Sequence, residues 1–451
     1  MFKIGEKLET THGLKLSVKD GPWSGGQGSV FKVESDDGKT YALKWYHDSY
    51  LNNAEQSKAL WDSLNKIMNK SVGVEFAWPI DFVKIGSSFG YVMEFVDFGK
   101  FITLSKMKSG ARKYQPSLQS KILISLNICN AFSKLHAKGF CYRDINEGNI
   151  MFDIKAGEIK IVDNDNVGVE GYSTSDVRGV LDYMAPEILC DFENTVPSKY
   201  TDSHSIAVFL FQLWMFHHPL EGNNCIETRC FDRNAKIMHF GRDPKFIFAD
   251  NGENALKMIY DKGTKDEADY SYVHSFWNSC PADLQKLFKK VFSEGLVDAK
   301  KRPLTNTWTN AFRKLYDMVL QCNHCGADTL LTDDKVCWNC QKTYLTPPML
   351  RIKKKESISS SSLLLTVGKQ LSDSHFGKKE NVGGGNVIGV VVPHPTNPQR
   401  FGIQNRTNSD WVFINGDGKT TPVIPGKSVI VDPQNKIDFG NDYIGEFVFE
   451  H

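Results

Sequence analysis

Residues 14–18 and 29–33 alternate polar and apolar positions on either side of a glycine-rich turn, and a period of two predicts a β-hairpin. A third strand is expected at 41–44, and 91–96 is apolar enough to read as a buried strand. Between them, Ala54, Leu60, Trp61, Leu64, Ile67 and Met68 recur at three-to-four spacing and predict an amphipathic helix over 53–69. Later, 159–163 reads as a short strand ending in a carboxylate, and 201–208 as a hydrophobic helix with Asp202 near its start. The pattern changes after residue 350. Short β-rich runs at 387–392, 401–405, 411–414, 422–424, 428–431 and 443–449 are parted by turn signals such as Asn415-Gly416 and Pro425-Gly426, which predicts a small β-sandwich. Before it, a basic run (351–355), a serine-rich run (357–362) and three successive glycines within 380–386 read as linker; the apolar patch 363–367 between them can serve as a first strand.

Polar residues placed on this frame carry the chemistry. The loop Cys141-Tyr-Arg-Asp-Ile-Asn-Glu-Gly-Asn149 puts a carboxylate and a carboxamide on one short turn. In the first hairpin, Gly25, Gly26 and Gly28 permit positive φ and let backbone N–H groups approach a polyphosphate. Lys44 ends the third strand, and Asp163-Asn-Asp165 follows the strand at 159–163. Met184-Ala-Pro-Glu187 and Lys301-Arg302-Pro303 come after it.

In this order the motifs resemble the eukaryotic-type Ser/Thr protein kinase family. The resemblance implies ATP and Mg2+ as cofactors and the catalytic set Asp144, Lys44, Asn149 and Asp163: Asp144 orients the acceptor hydroxyl, Asn149 and Asp163 hold Mg2+, and Lys44 holds phosphates. It also implies a nucleotide pocket of Gly25, Gly26, Gly28, Val30, Ala42, Met93, Met151 and the hinge backbone of Glu94 and Val96, with Glu55 of the helix pairing with Lys44. Asp202 would brace the catalytic loop and Arg302 would pair with Glu187. Arg143 suggests control by phosphorylation, because an arginine there can pair with a phosphate on Ser173, Thr174 or Ser175.

A narrower resemblance rests on Tyr142-Arg-Asp, the Asp-Asn-Asp-Asn run at 163–166, Trp78-Pro79, Phe246-Ile-Phe248 and a following Cys-x-x-Cys pair. These features are similar to those of the bacterial kinases of the tellurite-resistance-associated phosphorylation triad. That likeness implies a von Willebrand A-type protein and a metal-dependent phosphatase as partners, beside a protein substrate. Two positions depart from the common kinase pattern: Asn146 stands where a lysine is usual, and Val180 where a threonine is usual. Loss of one preorganised donor costs about 10² to 10³ in rate, so a slow kinase is expected, or one whose partner supplies the missing charge. The competing class is a pseudokinase that binds nucleotide and recruits partners.

Cys322-Asn-His-Cys325 and Cys337-Trp-Asn-Cys340, eleven residues apart, match the spacing of a zinc ribbon and point to bound Zn2+, with rubredoxin-like iron or a redox pair as the alternatives. With four thiolates the site is closed, so His324 is not needed as a ligand and Trp338 is expected to pack. The other cysteines (Cys129, Cys141, Cys190, Cys225, Cys230 and Cys280) lack metal spacing and read as reduced thiols.

Composition bounds the rest. The chain has 451 residues, room for about three domains by the usual domain size. Its net charge of +1 gives no electrostatic argument for nucleic acid, and no run of about twenty apolar residues suggests a membrane span, so the cytoplasm is the expected location. The expected architecture is α+β: a two-lobed protein-kinase-like fold (1–96 and 97–320), a zinc ribbon (321–350), a linker (351–386) and a β-sandwich (387–451). The segment 423–440 loosely resembles the end of a forkhead-associated domain, but without a convincing Arg and Ser-x-x-His set for phosphothreonine, so a docking module of unknown ligand is expected there.

Overall fold

The computed structural model describes residues 2–68, 70, 72–172, 179–259, 269–358, 360–378, 382–383, 385–397, 400–440 and 442–449. It contains two compact units. The first comprises Met1–Pro116, Ile124–His274 and Lys286–Thr309, and the second Ser117–Leu123, Ser275–Gln285 and Asn310–His451.

The first unit begins with strands β1 (Lys7–Glu9), β2 (Lys15–Ser24), β3 (Gly28–Ser35), β4 (Thr40–Tyr46), β5 (Asp81–Ile85) and β6 (Ser88–Glu94). They form one antiparallel sheet in the order β1-β2-β3-β4-β6-β5. Strand alternation sends Leu16, Val18, Phe31, Val33, Leu43, Val83 and Val92 into a common core. Helix α1 (Ala54–Met68) buries Leu64, Ile67 and Met68, while its Trp61 stacks on Phe82 with ring centroids 4.3 Å apart. Trp78 fastens the end of α1: its Nε1–H donates to the carbonyl of Ile67 at 2.9 Å.

Two elements of the helical part of this unit position chemistry. The hairpin β7 (Ile150–Phe152) and β8 (Ile159–Ile161) sets Ile150 opposite Ile161, so Asn149, just before β7, and Asp163, just after β8, come to the same end. Helix α2 (Lys199–Met215) is apolar on nearly all sides and buried, as a core helix should be. Ser198 caps it in a reciprocal box with Thr201.

In the second unit β9 (Val319–Gln321) and β10 (Asp328–Leu330) form a small hairpin. Ten further strands follow: β11 (Met349–Lys354), β12 (Ser360–Leu364), β13 (Gln370–Ser372), β14 (Val387–Pro393), β15 (Phe401–Asn405), β16 (Trp411–Ile414), β17 (Thr420–Val423), β18 (Ser428–Ile430), β19 (Lys436–Gly440) and β20 (Tyr443–Val448). They build a six-stranded sheet, β12-β11-β20-β19-β16-β17, and a four-stranded sheet, β13-β14-β15-β18. Both contribute to one core: Leu350, Ile352, Leu363, Trp411, Ile437 and Phe447 from the larger, Leu371, Val391, Ile403 and Val429 from the smaller. Fully burying each such side chain is worth about 1.5–3 kcal/mol.

The expected linker over 351–386 is corrected here, since much of it is sheet. β11 pairs with β12 on one side and with the last strand, β20, on the other. The basic run disguised this, because Arg351 and Lys353 alternate with buried Leu350 and Ile352 in an ordinary half-buried strand.

Candidate active site

The 141–149 loop is built around one partly buried carboxylate. Asp144 accepts from the Asn146 side chain at 2.9 Å, from Asn149 Nδ2 at 3.0 Å and from Asn166 Nδ2 at 3.3 Å. Burial raises its pKa above the ordinary aspartate value, and the bonds from Asn146 and Asn149 oppose that rise. Asn146 does more than touch Asp144: its Oδ1 accepts the backbone N–H groups of Gly148 (2.8 Å) and Asn149 (3.2 Å). It therefore holds the loop that presents Asn149. Asn149 spends its amide N–H on Asp144, leaving its carbonyl oxygen as the atom chemically suited to a cation.

The run at 163–166 has a partner for each side chain. Asp163 adopts left-handed φ (55°) and opens a 3₁₀ turn, Asn164–Asn166. Its carboxylate, 40% exposed and so open to a metal, reaches Lys44 Nζ at 3.2 Å. Asn164 points the other way and donates to the carbonyls of Ala77 (2.8 Å) and Ile161 (3.0 Å), pinning the turn. Asp165 is buried and meets Lys44 Nζ with both oxygens, at 2.8 and 3.1 Å. Asn166 reaches Asp144.

Lys44 is itself buried, and Gln27 Oε1 accepts from it at 3.3 Å. Burial disfavours its charge, but Asp165 and Asp163 outweigh that and raise its pKa above the ordinary lysine value. Glu55 does not take part. It is exposed at the start of α1, and no ion pair joins it to Lys44 among the described residues. The expected Lys44–Glu55 pair is thus replaced by Lys44–Asp165, because the inward face of α1 carries Leu64, Ile67 and Met68 and offers no acid.

Strand register brings three of the expected nucleotide residues, Val30, Ala42 and Met93, near Lys44. Val30 is opposite Lys44 on β3 and β4, and Ala42 is opposite Met93 on β4 and β6. Ala42, Met93, Val96 and Met151 are buried. The Glu94 side chain pairs with Lys160 at 2.7 Å. The glycine expectation needs correction: Gly25, Gly26 and Gly28 do not adopt left-handed φ. Gly28 is required for a different reason, since a Cβ there would lie 2.4 Å from the carbonyl oxygen of Trp45, while a Cβ at Gly25 would make only ordinary contact with the Gly28 carbonyl oxygen at 3.7 Å and Gly26 faces open space.

The protein kinase domain family matches residues 23–308. The chain belongs to that family. Similar stretches occur in cAMP-dependent protein kinase type 3 of Saccharomyces cerevisiae, 27% identical over 169 residues, covering 37% of this chain and 39% of that protein. Ribosomal protein S6 kinase alpha-6 of Mus musculus is 25% identical over 299 residues, 62% of this chain and 36% of the relative. Developmentally-regulated protein kinase 1 of Dictyostelium discoideum is 45% identical over 97 residues, 21% of this chain and 13% of the relative. The chain thus spans between 13% and 39% of the length of these relatives.

Bracing in this protein kinase domain follows the sequence expectation. Asp202 Oδ2 accepts the Tyr142 N–H at 2.8 Å and lies 2.9 Å from His136 Nε2, while Oδ1 accepts the Arg143 N–H at 3.3 Å. These bonds hold Arg143 at φ 72°, a backbone state that costs on the order of 1–3 kcal/mol outside glycine. Arg302, its side chain fully buried, meets both Glu187 oxygens at 2.7 Å. Arg143 Nη2 donates to the carbonyl of Tyr172 at 3.1 Å, and Gly168 leaves room for its guanidinium, since a Cβ there would fall 1.6 Å from Nη2. Ser173, Thr174 and Ser175, the expected phosphate acceptors, lie outside the described residues.

In the second unit the sulfurs of Cys322, Cys325, Cys337 and Cys340 lie within 4.8 Å of one another. The Cys322–Cys340 and Cys325–Cys337 separations are 3.7 Å. A tetrahedral ion with Zn–S bonds of about 2.3 Å needs edges of about 3.8 Å, so the donor set fits. Both knuckles close alike: Gly326 N–H bonds the Cys322 carbonyl at 2.8 Å, Gln341 N–H bonds the Cys337 carbonyl at 2.9 Å, and both residues take left-handed φ. His324 instead contacts the Thr343 carbonyl through Nε2, and Trp338 Nε1–H donates to the Asp328 carbonyl.

Sequence reasoning missed Asp165, Tyr46 and Tyr91 around Lys44, and Asn166 on Asp144. The available signal was the second carboxylate of Asp163-Asn-Asp165, two residues beyond the metal candidate.

Proposed function

We propose that this chain is a protein serine/threonine kinase that transfers the γ-phosphoryl group of ATP, with Mg2+, to a partner protein. The observation that carries the reading is the meeting of Lys44 with Asp163 at 3.2 Å beside an Asp144 tied to Asn149 and Asn166. In this reading Asp144 orients the acceptor hydroxyl, Asn149 and Asp163 are the Mg2+ ligands, Lys44 receives phosphate oxygens, and Val30, Ala42, Met93, Met151 and the 94–96 hinge hold the base. Mg2+ would neutralise charge developing between the phosphates. Arg143 would respond to phosphorylation at 173–175. Cys322, Cys325, Cys337 and Cys340 would hold Zn2+ as a ribbon, and the paired C-terminal sheets would act as a β-sandwich docking module.

The resemblance to the tellurite-resistance-associated triad favours a cytoplasmic stress-signalling role with a von Willebrand A-type protein and a metal-dependent phosphatase as partners. No helix among the described residues is long and apolar enough to cross a membrane. A pseudokinase scaffold is the second reading, favoured by one observation: Asp144 is held by three carboxamides and, among the described residues, forms no ion pair. Incubating wild type and Asp144→Ala with radiolabelled ATP, Mg2+ and candidate von Willebrand A-type proteins decides between them. Label on serine or threonine with wild type alone supports the kinase; no transfer by either protein supports the scaffold.

A further inference from the structure

A buried lysine that binds phosphate needs a fixed counter-charge, because an uncompensated ammonium in the interior is costly. Helix α1 offers none: its carboxylates, Glu55 and Asp62, are exposed, and its packed face is apolar. We infer that Asp165 is the positioning residue for Lys44, so that the lysine clamp of this site is assembled from the same 3₁₀ turn that carries Asp163 and not from helix α1. The inference rests on the kinase reading above and goes beyond it.

The geometry is that of a clamp. Each Asp165 oxygen takes the lysine and one tyrosine. Oδ2 accepts from Lys44 Nζ at 2.8 Å and Tyr46 Oη at 2.7 Å; Oδ1 accepts from Lys44 at 3.1 Å and Tyr91 Oη at 3.3 Å. The three donors share one face of the sheet by register alone. Lys44 and Tyr46 are two apart on β4, and Tyr91 lies opposite Lys44 on β6. Asn164, bonded to Ala77 and Ile161, fixes the turn from behind. Asp163 also touches Lys44, but through one oxygen and as the more exposed carboxylate, the one that would hold a metal, whereas Asp165 meets the lysine with both oxygens. Movement of α1 therefore does not by itself break the pair that orients Lys44, whereas any displacement of the 163–166 turn disturbs lysine, metal carboxylate and Asp144 together.

The test uses the full chain, with MgATP for kinetics and an acyl-phosphate ATP probe that acylates Lys44, read by mass spectrometry. For Asp165→Asn we expect KM for ATP to rise at least about tenfold and probe labelling of Lys44 to fall in step, with kcat at saturating MgATP within about threefold. Mere loss of structure would lower kcat with the folded fraction and leave KM in place. The double variant Glu55→Gln/Asp62→Asn should keep KM and labelling within about twofold, and this arm decides even if Asp165→Asn does not fold. The inference is overturned if Asp165→Asn keeps KM and labelling at the wild-type level, or if the α1 double variant raises KM about tenfold. Wild type that neither binds nor turns over MgATP would sink the kinase reading as well, which separates the two failures.

Discussion

Asn166 Nδ2 lies 3.3 Å from Asp144 Oδ2, so the turn that follows Asp163 also touches the carboxylate of the 141–149 loop. Asp163 and Asp165 reach Lys44, Asn164 the backbone of Ala77, and Asn166 Asp144. Lys44, Asp163 and Asp144 are thus tied together through one short stretch of chain.

Removing Asp144 should abolish transfer while sparing nucleotide binding. Positioned proton acceptors contribute about 10² to 10⁴ in rate, so Asp144→Ala should lose at least the lower figure in kcat, with KM for ATP within about threefold. Loss of ATP affinity in step with kcat would place Asp144 in binding instead.

The acid limb of the rate profile should report Asp144. Its burial raises the carboxyl pKa, and activity requires the ionised form, so activity is present above that pKa and lost as pH falls through it. Asn146→Ala deletes a bond that lowers this pKa, and the acid limb of kcat/KM should move to higher pH. An unmoved or lowered limb would contradict the assignment.

The cysteine cluster should hold one zinc ion per chain by elemental analysis. Structural zinc supplies folding free energy of about 10–16 kcal/mol in small peptides, so chelation or Cys337→Ser should open residues 322–344 to protease before the sheets at 349–448 are cut. Metal-free protein with an intact protease pattern would defeat the site.

His375 should make the stability of the second unit depend on pH. Its Nε2 lies 3.2 Å from Asp317 Oδ1; burial opposes the charged ring, but Asp317 and the Ser372 carbonyl raise its pKa above the ordinary value. The pair's stabilisation should be complete below about pH 6.5 and decline as pH rises through the folded-state pKa. Denaturant midpoints across this range should slope accordingly in wild type and flatten in Asp317→Asn.

Glu187→Ala should cost about 3–5 kcal/mol of stability, since it strands the buried Arg302 guanidinium. Urea unfolding measures it; a loss below about 1 kcal/mol would mean that the carbonyls of Gly295 and Tyr200 suffice for Arg302.

Local pattern was enough to read much of this protein. Period two gave the strands around Lys44, three-to-four spacing gave α1, and fixed motif spacing pointed to Asp144, Asn149, Asp163, Asp202 and the four cysteines, because each of those signals lies within a few residues of chain. What spacing could not reach was partner choice across long separations. Asp165 is 121 positions from Lys44, and only the packing of an apolar α1 face made it the available acid. Gly28 was legible as a loop residue, yet its reason, close approach to Trp45, belongs to the neighbouring strand. Likewise 351–386 had the composition of a linker, but β11 lies between β12 and the final strand, and hydrogen bonding to a segment about ninety residues away turned a charged run into sheet. Which residues can do chemistry is written along the chain; which of them meet follows from folding, because a buried Lys44 needs a counter-charge that only distant segments packed together can bring.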